Sequence, residues 1–355
     1  MTYSAGWKEY SGVVHVHTDK SGGLPFDRIV EAAKRTKADF VVITDNNVSM
    51  SEALEKQGWH DGILVLFGEE VCCIDGHFLA FQTREEIGLT TDYEHSIEAV
   101  RRQAGAVVGI HYHYEDLSRP SNVPAPLPVK LCDMVEIWSF HDEFVSRARG
   151  RMPIQFHSRP DRLLSGPPRH VMEDWDAELT KRPVAAVGSV NALNRKDPLL
   201  DWKEYFPFTT SFKTIRTHIV CPELPKNGTL AARYVWNALV RGHSFIANHA
   251  LANPAGFRLR YSDEFGMFDV GDSAPYSERG ELHIELPQEA EVIIRHNGSP
   301  LFWGTGESFT FPVPSTGVTR LEAKLDRRMW ILSNPMRIVE IDDNPRRPST
   351  VIDFT

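Results

Sequence analysis

Short, wholly apolar runs alternate with amphipathic stretches through the first two-thirds of the chain. Val13–Val16, Phe40–Thr44, Ile63–Phe67, Val71–Cys73, Phe78–Phe81, Ala106–Ile110, Met134–Trp138 and Val184–Val187 read as strands buried on both faces. Between them, Pro25–Thr36, Ser51–Gln57 and His95–Ala104 read as helices. The first has Pro in its first turn and Ile29, Val30 and Ala33 along one face, and Ser51 is a candidate N-cap of the second. This rhythm predicts a mostly parallel α/β sheet or barrel, whose sites form where strands end. Polar, chemically versatile residues fall at those ends: His15, Asp45, Glu70, His111 and Asn191. Two long connections, Leu117–Val129 and Gly150–His170, read either as active-site lids or as surface padding.

From Phe257 the pattern changes. Phe257–Tyr261, Glu281–Leu286, Glu291–Arg295, Ser308–Pro312, Thr319–Leu325 and Met329–Leu332 read as strands with no helices between them, separated by turn signals such as Asn297-Gly298. That succession predicts a small β-sandwich. A helix over Leu230–Arg241, stopped by Gly242, bridges the two regions. The expected organisation is a first domain over residues 1–250 and a second over residues 251–355.

Composition narrows the class. The 355 residues are 41% hydrophobic and 25% charged, as in a soluble globular protein. The net charge of -9, with no long basic run, argues against nucleic acid and anionic membrane as partners. No apolar stretch is long enough for a membrane-spanning helix, and the first residues lack the basic and apolar regions of a signal peptide. Cys72, Cys73, Cys132 and Cys221 lie in apolar or strand-like contexts and read as reduced core thiols. A cytoplasmic protein acting on a small molecule is the expectation.

The chemistry starts at Gly12-Val-Val-His-Val-His-Thr18. In a regular strand, residues two apart share a face, so His15 and His17 would present two imidazoles together, the start of a Zn, Mn or Fe site. Four further segments join them: Val41-Val-Ile-Thr-Asp-Asn-Asn47, Gly68-Glu-Glu-Val71 with Gly76-His77, Ala106-Val-Val-Gly-Ile-His111, and Ala186-Val-Gly-Ser-Val-Asn-Ala-Leu193. In this order they resemble the PHP (polymerase and histidinol phosphatase) domain. Trp175-Asp176, Phe212–Ile219 and Ser333-Asn-Pro335 resemble its carbaryl-esterase-like branch.

The resemblance implies a distorted (βα)7 TIM-like barrel followed by the β-sandwich, with divalent metals at the strand ends. It implies a first metal on His15, His17 and a bridging Glu70, with Asn191 where the family has aspartate. A second metal would share Glu70 and take His111, with His141, or alternatively Glu136, as its third ligand. The family's Ser-Asp-Gly, Thr-Asp-His and Asp-Ala-His stand here as Ser21-Gly-Gly23, Thr44-Asp-Asn46 and Asn191-Ala-Leu193. Gly22, Asn46 and Leu193 would all have served one further metal, so that site reads as removed as a unit. The implied activity is hydrolysis of phosphate or carboxyl/carbamate esters by a metal-activated water, with one or two ions of Zn, Mn or Fe. The competing reading is a catalytically silent relative that serves as a binding scaffold. Glu70, Asp45 and His77 are the catalytic candidates. Asp45 either orients a ligand histidine or is a strand-end turn carboxylate. His77 and His113 are substrate contacts, acids or polar loop residues, and Arg195 and Lys196 either bind an anionic group or are solvated charges.

Overall fold

The computed structural model describes residues 7–48, 50–87, 92–113, 125–147, 159–194 and 207–340. Arg195 and Lys196, residues 117–124 of the first long connection and residues 150–158 of the second lie outside the described residues. The strands begin with β1 (Trp7–Val16), β2 (Phe40–Ile43), β3 (Gly58–His60) and β4 (Ile63–Phe67). β1, β2 and β4 run parallel, and β3 folds back on β4. A second sheet follows, of β5 (Glu69–Cys72), β6 (His77–Phe81), β7 (Ala106–Gly109), β8 (Met134–Ser139) and β9 (Ala185–Ser189). β7, β8 and β9 are parallel, whereas β5–β6–β7 is antiparallel. Helices α1 (Phe26–Thr36), α2 (Met50–Leu54), α3 (Tyr93–Arg102), α4 (Phe140–Arg147), α5 (Arg169–Leu179), α6 (Phe208–Ser211) and α7 (Gly228–Arg241) complete the α/β layer. α1 and α3 keep close to their predicted spans. α3 is capped by Asp92, which accepts from the His95 amide at 3.0 Å, and Gly242 ends α7 in the left-handed region at φ 73. Ser51 lies within α2 rather than capping it.

The strands do not close into a barrel. β10 (Ile215–Pro222) takes the edge of β1 over residues 7–12 in antiparallel register, leaving β9 only the far tip of β1. The sheets meet there through Val16 and Ala192, and on the other side through Asn46 and Glu70, each an isolated bridge. Val14, Phe40, Val42, Leu64, Leu66, Leu79, Phe81, Val108 and Val187, from both sheets, form one buried cluster with the apolar face of α7. A buried aliphatic or aromatic side chain contributes about 2 kcal/mol, against about 1 kcal/mol for a hydrogen bond. Burial therefore joins the two sheets more than the short bridges do.

β11 (Ser244–Asn248) pairs with β10 and carries the first sheet into the C-terminal part of the chain. There follow β12 (Arg258–Asp263), β13 (Gly266–Asp269), β14 (Ser273–Pro275), β15 (Glu281–His296), β16 (Ser299–Pro312), β17 (Gly317–Leu325), β18 (Arg328–Ser333) and β19 (Met336–Val339). The two strands expected over Glu281–Leu286 and Glu291–Arg295 are one long strand with a register shift between Glu285 and Ala290, where Pro287 has no N–H to give the ladder. These strands have their own core around Phe257, Tyr261, Ile284, Val292, Leu321 and Trp330. Among the described residues, no helix is long and apolar enough to cross a membrane.

Polar ties bind this part to the α/β layer. The Asn334 side chain pairs with β9 as a strand would: its Oδ1 accepts from Ala186 N at 2.7 Å, and its Nδ2 donates to Ala186 O at 2.8 Å and to Ser244 Oγ at 2.7 Å. The buried Arg320 guanidinium grips Asp176 of α5 through two bonds of 2.6 and 2.7 Å, and lies 5.3 Å from the Trp175 ring. Asn334→Ala would leave a buried N–H and carbonyl of Ala186 without partners. We expect a loss of about 2–3 kcal/mol, read by chemical denaturation. A loss below about 0.5 kcal/mol, the ordinary surface range, would show the tie to be dispensable.

Candidate metal centre

β1 does not deliver its histidines by simple alternation. His15 adopts φ 64, and the register with β2 shifts between Val14 and Val16. His15 is thus a bulge residue in the left-handed region, a conformation that costs a non-glycine residue free energy and needs support from its surroundings. The support comes from residues 190–192, where Val190 N, Ala192 N and Ala192 O bond Val14 O, His15 O and His17 N at 3.0–3.2 Å. His17 lies just past the strand end, with its ring centroid 5.2 Å from that of His15. His111, after β7, and Asn191, after β9, also adopt positive φ, at 66 and 43. Three strand ends therefore turn inward at functional residues.

Glu70 is the centre of the arrangement. It sits on the buried β5, held by backbone bonds from its own N–H to Asp45 O and from Asn47 N to its carbonyl, both 3.1 Å. Its two carboxylate oxygens face different imidazoles. Oε2 lies 3.2 Å from His15 Nε2 and 3.3 Å from His17 Nε2. Oε1 lies 3.3 Å from His77 Nδ1 and 3.7 Å from His111 Nε2. The donor atoms form two compact groups that share Glu70: His15, His17 and Glu70, and Glu70, His77 and His111. His15, His17, Glu70 and His111 are buried, and His77 is the more open member.

Further carboxylates stand behind the imidazoles. Glu136 Oε2 faces His15 Nδ1 at 2.6 Å, and Asp142 Oδ2 faces His111 Nδ1 at 2.9 Å. Each carboxylate can only accept, so it holds its partner's Nδ1 as the N–H and leaves Nε2 turned to Glu70. His17 Nδ1 meets Ser21 Oγ at 3.0 Å, and Ser21 donates to Asp45. Asp45 also accepts from Thr18 N and Oγ1, each at 2.6 Å, so it reaches His17 only through Ser21.

The remaining candidates stand apart from the two groups. His141 Nδ1 is 3.4 Å from Asp142 Oδ1, and Asn191 Nδ2 donates to that same oxygen at 3.0 Å. Among the described residues, neither His141 nor Glu136 joins a group of three His, Cys, Asp or Glu donors. His113 is turned from the groups, its Nε2 accepting the Ser139 N–H at 3.1 Å. Leu193 and Gly22 are neighbours: a Cβ built on Gly22 would come 4.0 Å from Leu193 Cδ2. Asn46 donates to Cys72 Sγ at 3.0 Å. Asp142 is not singled out by the sequence pattern. It follows His141 on α4 and resembles any acidic residue of a first helical turn.

The donor set of four imidazoles and one carboxylate suits Zn, Mn or Fe. Each group offers two nitrogens and one oxygen, leaving coordination positions for water or substrate. Without metal the charges compensate one another. Burial alone lowers the His15 pKa, but Glu136 and Glu70 outweigh it and hold it at about 10. His111 is likewise raised well above its ordinary value, burial being overcome by Asp142 and Glu70. Burial pushes Glu70 up, and the surrounding imidazoles pull it well below the usual carboxylate range.

The sign of the pH effect follows. A histidine whose folded pKa is raised contributes stability that is present below its unfolded value of 6.5 and lost as pH rises through the folded value. Chelated protein should lose stability between about pH 7 and pH 10. Metal binding expels those protons, so the stabilisation given by added metal should grow over the same window. Thermal melts with and without chelator check both trends, and chelated protein that grows more stable from pH 7 to 9 would contradict the charge assignment.

No family model matches the chain, and no curated protein matches it. Among solved structures, the chain is similar to a two-domain protein containing a predicted PHP-like metal-dependent phosphoesterase from Bacteroides vulgatus ATCC 8482. The identity is 12% and the TM-score 0.43, over 93% of this chain and 96% of that one.

Proposed function

We propose that the chain is a metal-dependent hydrolase of phosphate or carboxyl/carbamate esters, working at a reduced PHP-type site of one or two divalent ions. The observation that carries this reading is the division of Glu70, one oxygen toward His15 and His17 and the other toward His77 and His111. A carboxylate so placed can bridge two ions a few ångströms apart. The carbaryl-esterase-like branch belongs to this proposal as a description of ancestry.

A bound divalent ion supplies a water acidified toward neutrality and polarises the ester oxygen. The protein's part is positioning. Glu136 and Asp142 fix which nitrogen of His15 and of His111 faces Glu70. Ser21 and Asp45 fix His17, and residues 190–192 clamp the bulge that carries His15. His77, at the open side, borders the direction from which a substrate approaches. The substrate is a small molecule, and the protein works in the cytoplasm. Asn191 turns its amide nitrogen toward Asp142, so His15, His17 and Glu70 would hold the first ion, with Asn191 supporting them.

Metal analysis of the purified, supplemented protein should find up to two equivalents of Zn, Mn or Fe. Glu70→Gln should lose both ions, and His77→Ala should lose one and keep the other. Glu136→Gln should weaken the first ion about 10–100-fold. A chromogenic phosphomonoester, phosphodiester and carboxyl ester then choose the reaction class. A wild-type chain that takes up no metal after supplementation would overturn the hydrolase in favour of the silent scaffold.

A further inference from the structure

His77 is the least enclosed of the four imidazoles, with a side chain 22% exposed against 10% for His111 and less for the others. Glu136 and Asp142 stand behind His15 and His111, but among the described residues no second carboxylate pairs with His77. Its position is set through the backbone. Residues 125–128 pass beside the hairpin turn ahead of β6, and Pro126 forms an isolated parallel bridge with His77. Leu127 is buried, and a Cβ built on Gly76 would come 3.3 Å from its Cδ2. The Leu127 side chain therefore packs against the turn one residue before His77.

This segment is itself fixed at two points. It runs into a short 3-10 helix, Val129–Leu131, where the Arg182 guanidinium donates to Val129 O at 2.9 Å and to Cys132 O at 2.8 Å. Nearer His77, the Tyr112 hydroxyl donates to Leu127 O at 2.7 Å. Tyr112 is buried and directly follows His111, the other imidazole of the Glu70–His77–His111 group. Its ring folds back against the end of β7. A Cβ at Gly109 would collide with Tyr112 Oη, so only glycine leaves room for the hydroxyl there. One hydroxyl thus joins the loop that carries His111 to the segment that bears on His77. The route runs through Tyr112, Leu127 and Pro126 and does not pass through Glu70. His15 and His17 lie off this route, held by residues 190–192, Glu136 and Ser21.

We propose that Tyr112 is a positioning residue for the second ion, setting where His77 stands relative to His111 through Leu127. The proposal rests on the metal-dependent reading for the ion but not for the tie. Tyr112 acts through the two histidines, because its hydroxyl is spent on Leu127 O. Tyr112→Phe keeps the ring and the Arg182 anchor and removes that one donor. Leu127 O then lacks its buried partner, and the segment is free to shift, taking His77 with it.

Two measurements on the full chain test it. In the first, zinc is titrated calorimetrically into two single-site backgrounds. His17→Ala leaves the group of Glu70, His77 and His111, and His77→Ala leaves that of His15, His17 and Glu70. Adding Tyr112→Phe should weaken zinc about tenfold in the first background, the lower end of what partners behind a metal ligand contribute. In the second background zinc affinity should stay as it was. Leu127→Ala, which removes the contact on Gly76 at the other end of the tie, should show the same selectivity. Equal weakening in both backgrounds, or none in either, would overturn the proposal. The second measurement needs no metal. In chelated protein with isotope-labelled histidines, Tyr112→Phe should shift or broaden the NMR signals of the His77 ring and leave those of His17 in place. Unmoved His77 signals would also overturn it. If the His77 signals respond while neither background takes up zinc, the tie stands and the metal reading falls.

Discussion

A carboxylate buried among imidazoles is the constraint around which this molecule is arranged. Glu70 is 5% exposed and could not remain ionised there alone, because burying an unpaired carboxylate costs several kcal/mol. Four histidines answer its charge, and two of them would be too costly to hold protonated without carboxylates of their own, Glu136 and Asp142. The result is alternating shells of charge, each stabilising the next. Such a cluster has two ways to reach balance, protons or metal ions.

The backbone around this cluster is unusual. Strand ends at His15, His111 and Asn191 enter the left-handed region, where a β-strand ordinarily does not go. Each is held by hydrogen bonds from its neighbours, or by a side chain anchored to Asp142. The strain sits on the residues that face the centre and is supported by rigid sheet on either side.

Much of this was legible from residue pattern, and the rest was not for identifiable reasons. The apolar runs mark the α/β strands, and the strand-end positions of His15, Glu70 and His111 mark where polar chemistry collects. Alternation predicts His17 beside His15, but the chain does not follow it: a bulge, which no periodicity reveals, brings the two rings together. His77 joins the cluster because β5 and β6 form a tight antiparallel hairpin that returns it toward Glu70, a pairing that the parallel rhythm hides. Asp142 reads as an ordinary helix-start acid until the fold sets it against His111. The closed barrel fails for a reason that lies two hundred residues away, where β10 occupies the edge of β1. Trp175-Asp176 and Asn334 tie the C-terminal strands to α5 and β9 rather than face the metal centre.

That last tie has a consequence in time. A chain made from its N-terminus exposes β9 and Asp176 long before Asn334 and Arg320 emerge to meet them. Until then, Ala186 lacks the amide that pairs with it, and the strand carrying residues 190–192 is not secured. Those residues clamp the bulge at His15. A corner made early in synthesis thus receives its final shape from a part made much later.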